Sequence, residues 1–427
     1  MAPPPATAFV DPVLVSIVIV SRGRPGSLTW CLTGIDGLDY PAFEVVVVAD
    51  PAGVEAVRAS GFGARVKLIG FDEANIAAAR NAGIVQAAGE IVAFIDDDAV
   101  PEPTWLQRLV AAFQTPRVTA AGGFVRGRNG FSFQWQAREV DHGGRARRLA
   151  IDGSAPVLPR PTPGFAIKTE GTNMAVRRDV LAAMGGFDPG FRFYLDETDL
   201  NLRLAGLRKQ TAIVPGAEVH HAYAASDRRR ADRAVTDLSQ IGASAAYFLR
   251  KHCPTQERAE RLNEIMRDQQ MRVFDQVRAR LIRQSEVGPL IAGLKRGVQE
   301  GMSRPITGLA PLIGPNSGFL RFAPRRRGGT VLAGRIWQAR RLRREAAERA
   351  AAGENVTLFL FGPSARYHRV RFTPGGYWEQ NGGLWGRSDR AGPVFQAVGF
   401  ETRLRREVDR VAEMRGLEHE NGALGEP

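Results

Sequence analysis

The chain has 427 residues, 44% of them hydrophobic, which is enough for a sizeable core and argues against a chain that is disordered throughout. Its two cysteines, Cys31 and Cys253, are too few for a disulfide framework or a cysteine metal cluster and favour a reducing compartment. The net charge is +13, and residues 226–350, with 26 Lys and Arg against 12 Asp and Glu, hold the whole excess.

The N-terminal stretch MAPPPATAFVDP lacks the basic start and apolar run of a signal peptide. No apolar run in the sequence approaches the roughly 20 residues that a membrane span needs. We therefore expect a cytoplasmic protein that does not span a membrane, with residues 1–12 disordered.

Short apolar runs alternate with helical patterns from residue 13 to about residue 225. The predicted elements are, in chain order, strand 13–20, helix 25–37, strands 43–50 and 66–71, helix 75–89, strand 90–98 and helix 104–114. The strands are nearly continuous apolar runs, as is typical of parallel strands that are covered on both faces. This alternation predicts an α/β fold with a mostly parallel sheet and helices on both faces.

Two of the predicted strands end in aspartates, Asp50 on the second and Asp96, Asp97 and Asp98 on the fourth. Ligands of such sheets bind beyond the carboxyl ends of the strands. A hard divalent cation takes oxygen ligands there and can bridge a carboxylate and a diphosphate. Because side chains alternate, Asp96 and Asp98 should face the crevice, and Asp97 should point elsewhere and be the most replaceable. An acidic loop that caps the next helix is the alternative.

Three further patterns have a functional and a structural explanation. Arg80, on a helix near the same edge, can hold phosphate oxygens in a bidentate contact or be an ordinary surface arginine. Asp196 and Glu197 begin an amphipathic helix, whose dipole stabilises carboxylates and where one of the two can act as a general base. His220 and His221 are adjacent, so only one of them should reach a given metal site.

In order and spacing, these motifs resemble those of the family 2 glycosyltransferases, over residues 13–225. The resemblance implies a GT-A fold, with a Rossmann-like half that binds a nucleotide-diphosphate sugar and a second half that binds the acceptor. It also implies an inverting transfer that depends on Mg²⁺ or Mn²⁺. The expected acceptor is a hydroxyl group of a glycan or lipid-linked saccharide of the cell envelope.

The same resemblance implies roles for individual residues. Nucleotide-sugar contacts are expected for Ser21, Arg24, Asp50, Arg80, Asp96 and Asp98, donor-sugar or acceptor contacts for Gly171, Thr172 and Asn173, and metal ligation for Asp96, Asp98 and His221. Glu197 is expected to be the catalytic base, with Asp196 as its substitute. The family's P-T-x-N-R pattern is replaced by VSRGR, in which only Ser21 and Arg24 keep something of it. The family's Q-x-x-R-W motif is absent from the sequence, which argues against a processive polysaccharide synthase.

The rest of the chain is predicted to form a basic helical region, residues 226–350, and a small C-terminal α+β domain, residues 351–427. The basic region is either a packed appendage or a surface for an anionic membrane, for which residues 288–314 and 325–327 are suited. No nucleic-acid motif accompanies the charge, so we expect no nucleic-acid partner.

Two other functions remain open at this point. A nucleotidyltransferase-like enzyme also uses a metal and acidic strand ends, but it should have a glycine-rich phosphate loop with a lysine, which SRGRPG supplies only in part. The second is an inactive GT-A scaffold that binds an anionic partner.

Overall fold

The computed structural model describes residues 12–222 and 224–417, and of Arg327 only the backbone. The predicted disordered segment, residues 1–12, lies outside these ranges except for its last residue. The strands are β1 Val15–Ser21, β2 Phe43–Ala49, β3 Lys67–Gly70, β4 Ile91–Phe94, β5 Ala99–Pro101, β6 Val118–Arg126, β7 Phe133–Trp135, β8 Arg138–Asp141, β9 Ala146–Arg148, β10 Phe165–Lys168, β11 Met174–Arg177, β12 Gln210–His221, β13 Arg327–Arg335, β14 Glu354–Gly362, β15 Arg369–Phe372 and β16 Trp378–Gly383. The helices are α1 Pro25–Ile35, α2 Pro51–Ala59, α3 Ile76–Gln86, α4 Trp105–Ala111, α5 Arg178–Ala183, α6 Asp196–Gly206, α7 Ser239–His252, α8 Thr255–Arg278, α9 Gln284–Ser303, α10 Ala339–Ala351 and α11 Phe400–Arg415.

The first half of the chain forms a sheet with the strand order β3-β2-β1-β4-β11-β6-β12-β5, with β7 on β6. Strands β3, β2, β1 and β4 are parallel, so their carboxyl ends meet at one edge. Strand β11 runs antiparallel to both of its neighbours, and β12 is parallel to β6. The predicted α/β class with a Rossmann-like half is confirmed, and the second half of the sheet is mixed.

The sheet is covered on both faces because its central strands are apolar in both directions. Ile17 and Ile19 of β1 pack with α1 and α4 in one core, and Val18 and Val20 pack with α3, α5 and α6 in the other. All seven residues of β1 and of β2 are buried. This two-sided burial explains why the predicted strands lack a polar face.

The basic region begins with three helices, α7, α8 and α9. Helix α9 lies so close to α7 that a β-carbon at Gly297 would overlap the carbonyl oxygen of Ser239, and one at Gly301 would overlap that of Ala243. The buried glycines of α9, with Leu290 and Leu294, are therefore used in helix packing, whereas Met302, Ile306 and Ile313 of the stretch predicted to suit a membrane are exposed. Among the helices of residues 12–222 and 224–417, none combines the length and the apolar character of a membrane span.

Residues 304–326 form an extended strap that returns across the first domain. Phe322 of the strap stacks on Phe43, with ring centroids 5.3 Å apart, and Arg65 covers the Phe322 ring. Arg326 donates to the carbonyl oxygen of Thr33 over 2.9 Å, so this arginine of the predicted membrane patch is engaged by protein.

The C-terminal unit is a four-stranded sheet, β13-β14-β16-β15, in which the first three strands are parallel. Because β13 pairs with β14, and α10 packs on both, this unit begins near residue 327 and not at the predicted boundary of 351. Helix α11 packs on the other face, next to Phe359 and Phe361 of β14.

Candidate active site

The aspartate triplet forms the turn between β4 and β5, at the edge where the parallel strands end. The side chain of Asp96 is 27% exposed, whereas those of Asp97 and Asp98 are almost fully buried. Asp97 accepts a 2.6 Å hydrogen bond from Ser21 Oγ. Arg24 binds both Asp97, at 2.5 Å, and Asp98, at 3.3 Å.

These contacts correct the expectation that Asp97 is the most replaceable of the three. Burial, together with the charges of Asp98 and Asp96, raises the pKa of Asp97 to about 7, although Arg24 and Ser21 oppose this shift. Ser21 and Arg24, which were predicted to contact the nucleotide, both bind the carboxylate of Asp97, so Asp97 holds them in place. Its removal would leave a largely buried arginine without one of its two partners.

Asp96, Asp98 and His221 form the one cluster among the described residues whose ligand atoms are close enough to share a cation, all within 4.8 Å of one another. Strand β12 ends at His221 and pairs with β5, which brings the histidine beside the aspartate turn. His221 Nε2 is 3.0 Å from Asp98 Oδ1. Although burial opposes it, the hydrogen bond and charge of Asp98 raise the pKa of His221.

His220 lies on the opposite face of β12, as expected for adjacent residues of a strand. Its Nε2 is 2.8 Å from Glu102 Oε1, and its ring packs 4.7 Å from that of Trp378. Of the two histidines, only His221 reaches the aspartate cluster.

Asp50 lies at the predicted edge, but backbone amides engage both of its carboxylate oxygens. It caps α2 by accepting from Gly53 N, and it accepts from Gly23 N, each over 2.9 Å. Gly23 has a φ of +70°, which a side chain would disfavour, so the turn between β1 and α1 is held in this shape by Asp50.

Arg80 connects the aspartate turn with the acidic start of α6. Its guanidinium binds Asp196, lies 3.5 Å from Asp96 and packs over the ring of Phe187. The arginine is almost fully buried, so it is no ordinary surface residue. Gly171 makes room for it, because a β-carbon at this position would collide with the guanidinium.

The start of α6 is strained. Tyr194 and Leu195, directly before the helix, have φ values of +74° and +68°, a region that side chains with a β-carbon seldom occupy. Two consecutive residues of this kind turn Asp196 and Glu197 towards the crevice, and such strain is concentrated at functional sites.

Asp196 and Glu197 have opposite electrostatic environments. Burial raises the pKa of Asp196 to about 7, with Glu197 adding to the rise and Arg80 opposing it. Burial acts in the same direction on Glu197, but Lys168 and Arg80 overcome it and lower the pKa of that carboxyl. Lys168 Nζ lies 3.3 Å from Glu197 and 2.5 Å from Glu170. Adjacent carboxylates with separated pKa values can hold one proton between them at neutral pH.

Asn173 and Thr172, which follow Gly171 in the segment predicted to contact the sugar, differ in how their polar groups are used. Asn173 is completely buried, and its amide group bonds Trp105 Nε1 and the carbonyl oxygens of Phe124 and Ala217, each over 2.8 Å. Its polar atoms are therefore used within the protein, which leaves none for the predicted sugar contact. The hydroxyl of Thr172 is buried and has no hydrogen-bond partner among the described residues.

Sequence reasoning missed Lys168 and Glu170, which surround Glu197. A signal was present, because residues two apart on an extended segment share a face and Lys168 stands two residues before Glu170, the first residue of the EGTN motif. It also missed Glu102, whose carboxylate binds Arg415 of α11 through two contacts of 2.9 Å. This pair joins positions 313 apart, and no local pattern predicts it.

Comparison with known proteins identifies the domain that carries this site. Residues 16–182 match the model of glycosyl transferase family 2. This segment belongs to that family. The predicted family is thereby confirmed, and the GT-A fold class that the resemblance implied is confirmed with it.

Several curated proteins are similar to this domain. The O-antigen biosynthesis protein RfbC of Myxococcus xanthus is 29% identical over 269 residues, which are 55% of this chain and 19% of that protein. The glycosyltransferase AglE of Haloferax volcanii is 30% identical over 118 residues, which are 26% of this chain and 39% of that protein. The glucosyl-dolichyl phosphate glucuronosyltransferase of the same organism is 27% identical over 187 residues, covering 41% of this chain and 56% of that protein. The chain thus spans less than half the length of the first two.

Among solved structures, the mannosyltransferase PcManGT from Pyrobaculum calidifontis, in complex with GDP-Man and Mn²⁺, has a TM-score of 0.42 and 16% identity, covering 68% of this chain and 88% of that one. GalNAc-T7 with UDP, GalNAc and Mn²⁺ has a TM-score of 0.44 and 15% identity, covering 56% of this chain and 48% of that one.

Proposed function

We propose that the chain is a metal-dependent, inverting glycosyltransferase that moves a sugar from a nucleotide-diphosphate sugar to a hydroxyl acceptor. The observation that carries this proposal is the cluster of Asp96, Asp98 and His221 at the carboxyl ends of parallel strands. Arg80 connects the cluster to a second pair of acids, Asp196 and Glu197. A cation site and a candidate base on two sides of one crevice are the two parts that this transfer needs.

The ligand set fits a Mg²⁺ or Mn²⁺ ion. Two carboxylates and one imidazole offer one ligand atom each within 4.8 Å of one another, which leaves positions for diphosphate oxygens and water. When bound, the ion neutralises negative charge that develops on the leaving diphosphate. Arg80 and Arg24, both in contact with the aspartate turn, add fixed positive charge at the same place.

In this proposal Glu197 takes the proton of the acceptor hydroxyl. Its side chain is 14% exposed, whereas that of Asp196 is 3% exposed and bound to Arg80, so access favours Glu197. Lys168 lowers the pKa of Glu197 and so keeps this carboxylate ionised. Asp196 is the neighbouring carboxyl group with which Glu197 shares a proton. A base on the acceptor side of the donor sugar leads to attack from the face opposite the leaving group, hence to inversion.

The nucleotide is proposed to lie against the turn that Ser21, Arg24 and Asp50 shape. Asp50 holds the backbone of Gly23, and Ser21 fixes Asp97, so these two act by positioning rather than through free polar groups. The donor sugar would lie near Gly171 and Thr172, whose hydroxyl has no partner among the described residues.

The proposed acceptor is a glycan or lipid-linked saccharide of the cell envelope. It is supported by the names of two relatives, an O-antigen biosynthesis protein and a glucosyl-dolichyl phosphate glucuronosyltransferase. The positive charge of residues 226–350 would attract a phosphate-bearing acceptor or the anionic surface that carries it. A location at the inner face of the membrane is part of the same proposal.

The test is release of nucleoside diphosphate from a panel of UDP-, GDP- and dTDP-sugars, with Mn²⁺, Mg²⁺ or EDTA, in the presence and absence of candidate acceptors. Wild type should release it only with a divalent ion and faster with an acceptor. Asp98→Asn and Glu197→Gln should each lose most of this activity. Asp275→Asn, at an exposed carboxylate of α8, and Glu345→Gln, at a half-buried one of α10, make the same chemical changes away from the crevice. Full activity of both site variants would refute the proposal.

A further inference from the structure

A cavity of about 900 Å³ opens in the C-terminal unit, separate from the crevice of the aspartate turn. It lies where β13, β14 and β16 end, lined there by Ile336, Gly362 and Gly382, and Asn129 of the first domain completes its wall. The three strands are parallel, so this is the edge at which α/β sheets bind ligands. Its volume lies in the range of small-molecule sites.

All the charged side chains that line the cavity are positive. Arg366, Arg369 and Arg390 line it, and no aspartate or glutamate of the described residues does. None of these three arginines forms an ion pair within residues 12–222 and 224–417. By contrast, Arg371, which lies on strand β15 together with Arg369, pairs with Glu379 at 3.0 Å. The cavity thus gathers three arginines that have no ion-pair partner among the described residues, although the charge of Asp389 acts on Arg390.

Arg390 shows the imbalance most clearly. Its guanidinium packs 4.9 Å from the ring of Tyr367 and donates to the carbonyl oxygen of His368 over 3.2 Å. Its Nη1 atom is buried and has no hydrogen-bond partner among the described residues. Burial lowers the pKa of Arg390, and the charges of Arg387 and Arg369 add to the effect. A buried N–H donor without a partner is unfavourable, and an anion bound beside it would satisfy it.

The loop between β14 and β15, which carries Arg366 and Tyr367, is built to keep its shape. Gly383 N donates to the carbonyl oxygen of Arg366 over 2.9 Å, and Trp385 N donates to that of Ser364 over 3.1 Å. A β-carbon at Gly386 would overlap the carbonyl oxygen of Arg366, so only glycine allows the loop and the end of β16 this close approach. A rigid loop binds with less loss of entropy than one that must be ordered.

We propose that this cavity is a second binding site, for the phosphate or carboxylate group of a saccharide-sized anion, held by Arg366, Arg369 and Arg390. Planar guanidinium groups bind both kinds of oxyanion in bidentate geometry. Tyr367, which also lines the cavity, is 44% exposed, and the guanidinium groups of Arg387 and Arg390 pack against its ring. The proposal does not depend on the chemistry proposed for the other crevice.

Isothermal titration of the full chain in EDTA tests this inference with two probes, inorganic pyrophosphate and D-glucuronate, and with D-glucose as the neutral control. Wild type should bind at least one of the anions and not glucose. Arg366→Gln/Arg369→Gln should weaken that binding by about a hundredfold, roughly tenfold for each arginine whose charge-assisted hydrogen bond to the anion is removed. Arg341→Gln/Arg344→Gln removes the same charge from exposed positions on α10 and should bind as wild type does.

Asp98→Asn separates this site from the metal crevice, because its binding of the anions in EDTA should equal that of wild type. Binding of pyrophosphate alone identifies a phosphate-bearing ligand, and binding of glucuronate alone identifies a uronic acid. Absence of binding of both anions to wild type would overturn the proposal. Equal weakening in the α10 double variant would overturn it too, because the attraction would then be unspecific.

Discussion

The buried ion pair between Arg415 and Glu102 leads to a quantitative prediction about stability. Arg415, at the end of α11, donates two 2.9 Å hydrogen bonds to Glu102, which follows β5 directly, and both side chains are 2% exposed. Arg415→Gln leaves the carboxylate buried without its cation, a change that costs about 3–5 kcal/mol in comparable pairs. We expect about 3 kcal/mol, because His220 still contacts Glu102 at 2.8 Å.

Urea unfolding followed by tryptophan fluorescence measures this loss, since Trp378 lies 4.4 Å from the Arg415 guanidinium. Glu413→Gln is the matched control, because Glu413 belongs to the same helix and pairs with Arg108 at 2.9 Å, yet is 76% exposed. Its removal should cost less than about 1 kcal/mol. Equal effects of the two substitutions would refute the argument that burial makes the Arg415 pair important.

The same pair has a pH dependence of defined sign. Although burial opposes it, Arg415 and His220 hold the pKa of Glu102 well below its usual range. The stabilisation is therefore present above the unfolded pKa of about 4.3 and is lost progressively as the pH falls below it. The difference in unfolding free energy between wild type and Arg415→Gln should narrow in acid, and a constant difference from pH 7 to pH 3 would contradict this assignment.

Two predictions concern the crevice. Gly171→Ala should displace the Arg80 guanidinium and lower kcat/KM by roughly a hundredfold, whereas Gly206→Ala, which has open space around it, should leave kcat/KM unchanged. The rate should rise with pH through about 7, because Asp196 then loses the proton that it shares with Glu197 and the already ionised Glu197 becomes a stronger base, and level off above. A pH–rate profile that is flat from pH 5 to 9 would exclude the pair of Asp196 and Glu197 as the base. Equal kcat/KM of the two glycine variants would show that the position of the Arg80 guanidinium does not matter for the rate.

The sequence predicts the parallel half of the fold well because its strands are buried on both faces. Val15–Ser21 and Phe43–Ala49 form strands at the predicted places, and Ile91–Phe94 ends at the aspartate turn. The apolar runs carry this information locally. The C-terminal unit was harder to delimit, since β13 is short of apolar residues and becomes a strand only through its pairing with β14.

The site was predictable in its members but not in their contacts. The triplet, Arg80 and the acidic pair are recognisable from their motifs, yet that Arg24 binds Asp97 and Asp98 depends on the path of the β1–α1 turn. Asn173 has the residue type expected of a sugar contact, and only the fold reveals that its amide group is used within the protein. Contacts of this kind join positions far apart in sequence, where periodicity and local propensity carry no information.

Binding of Mn²⁺ to the aspartate turn, measured by electron paramagnetic resonance in the presence of UDP or GDP, tests the central claim most directly. Wild type should bind the ion more tightly with one of the nucleotides than without. Asp98→Asn should weaken this binding by more than about tenfold, because the ion loses a carboxylate ligand, and Asp275→Asn should leave it unchanged. If wild type bound no Mn²⁺ with either nucleotide, or if Asp98→Asn bound it equally well, the assignment of this crevice as a metal-dependent glycosyltransferase site would be wrong.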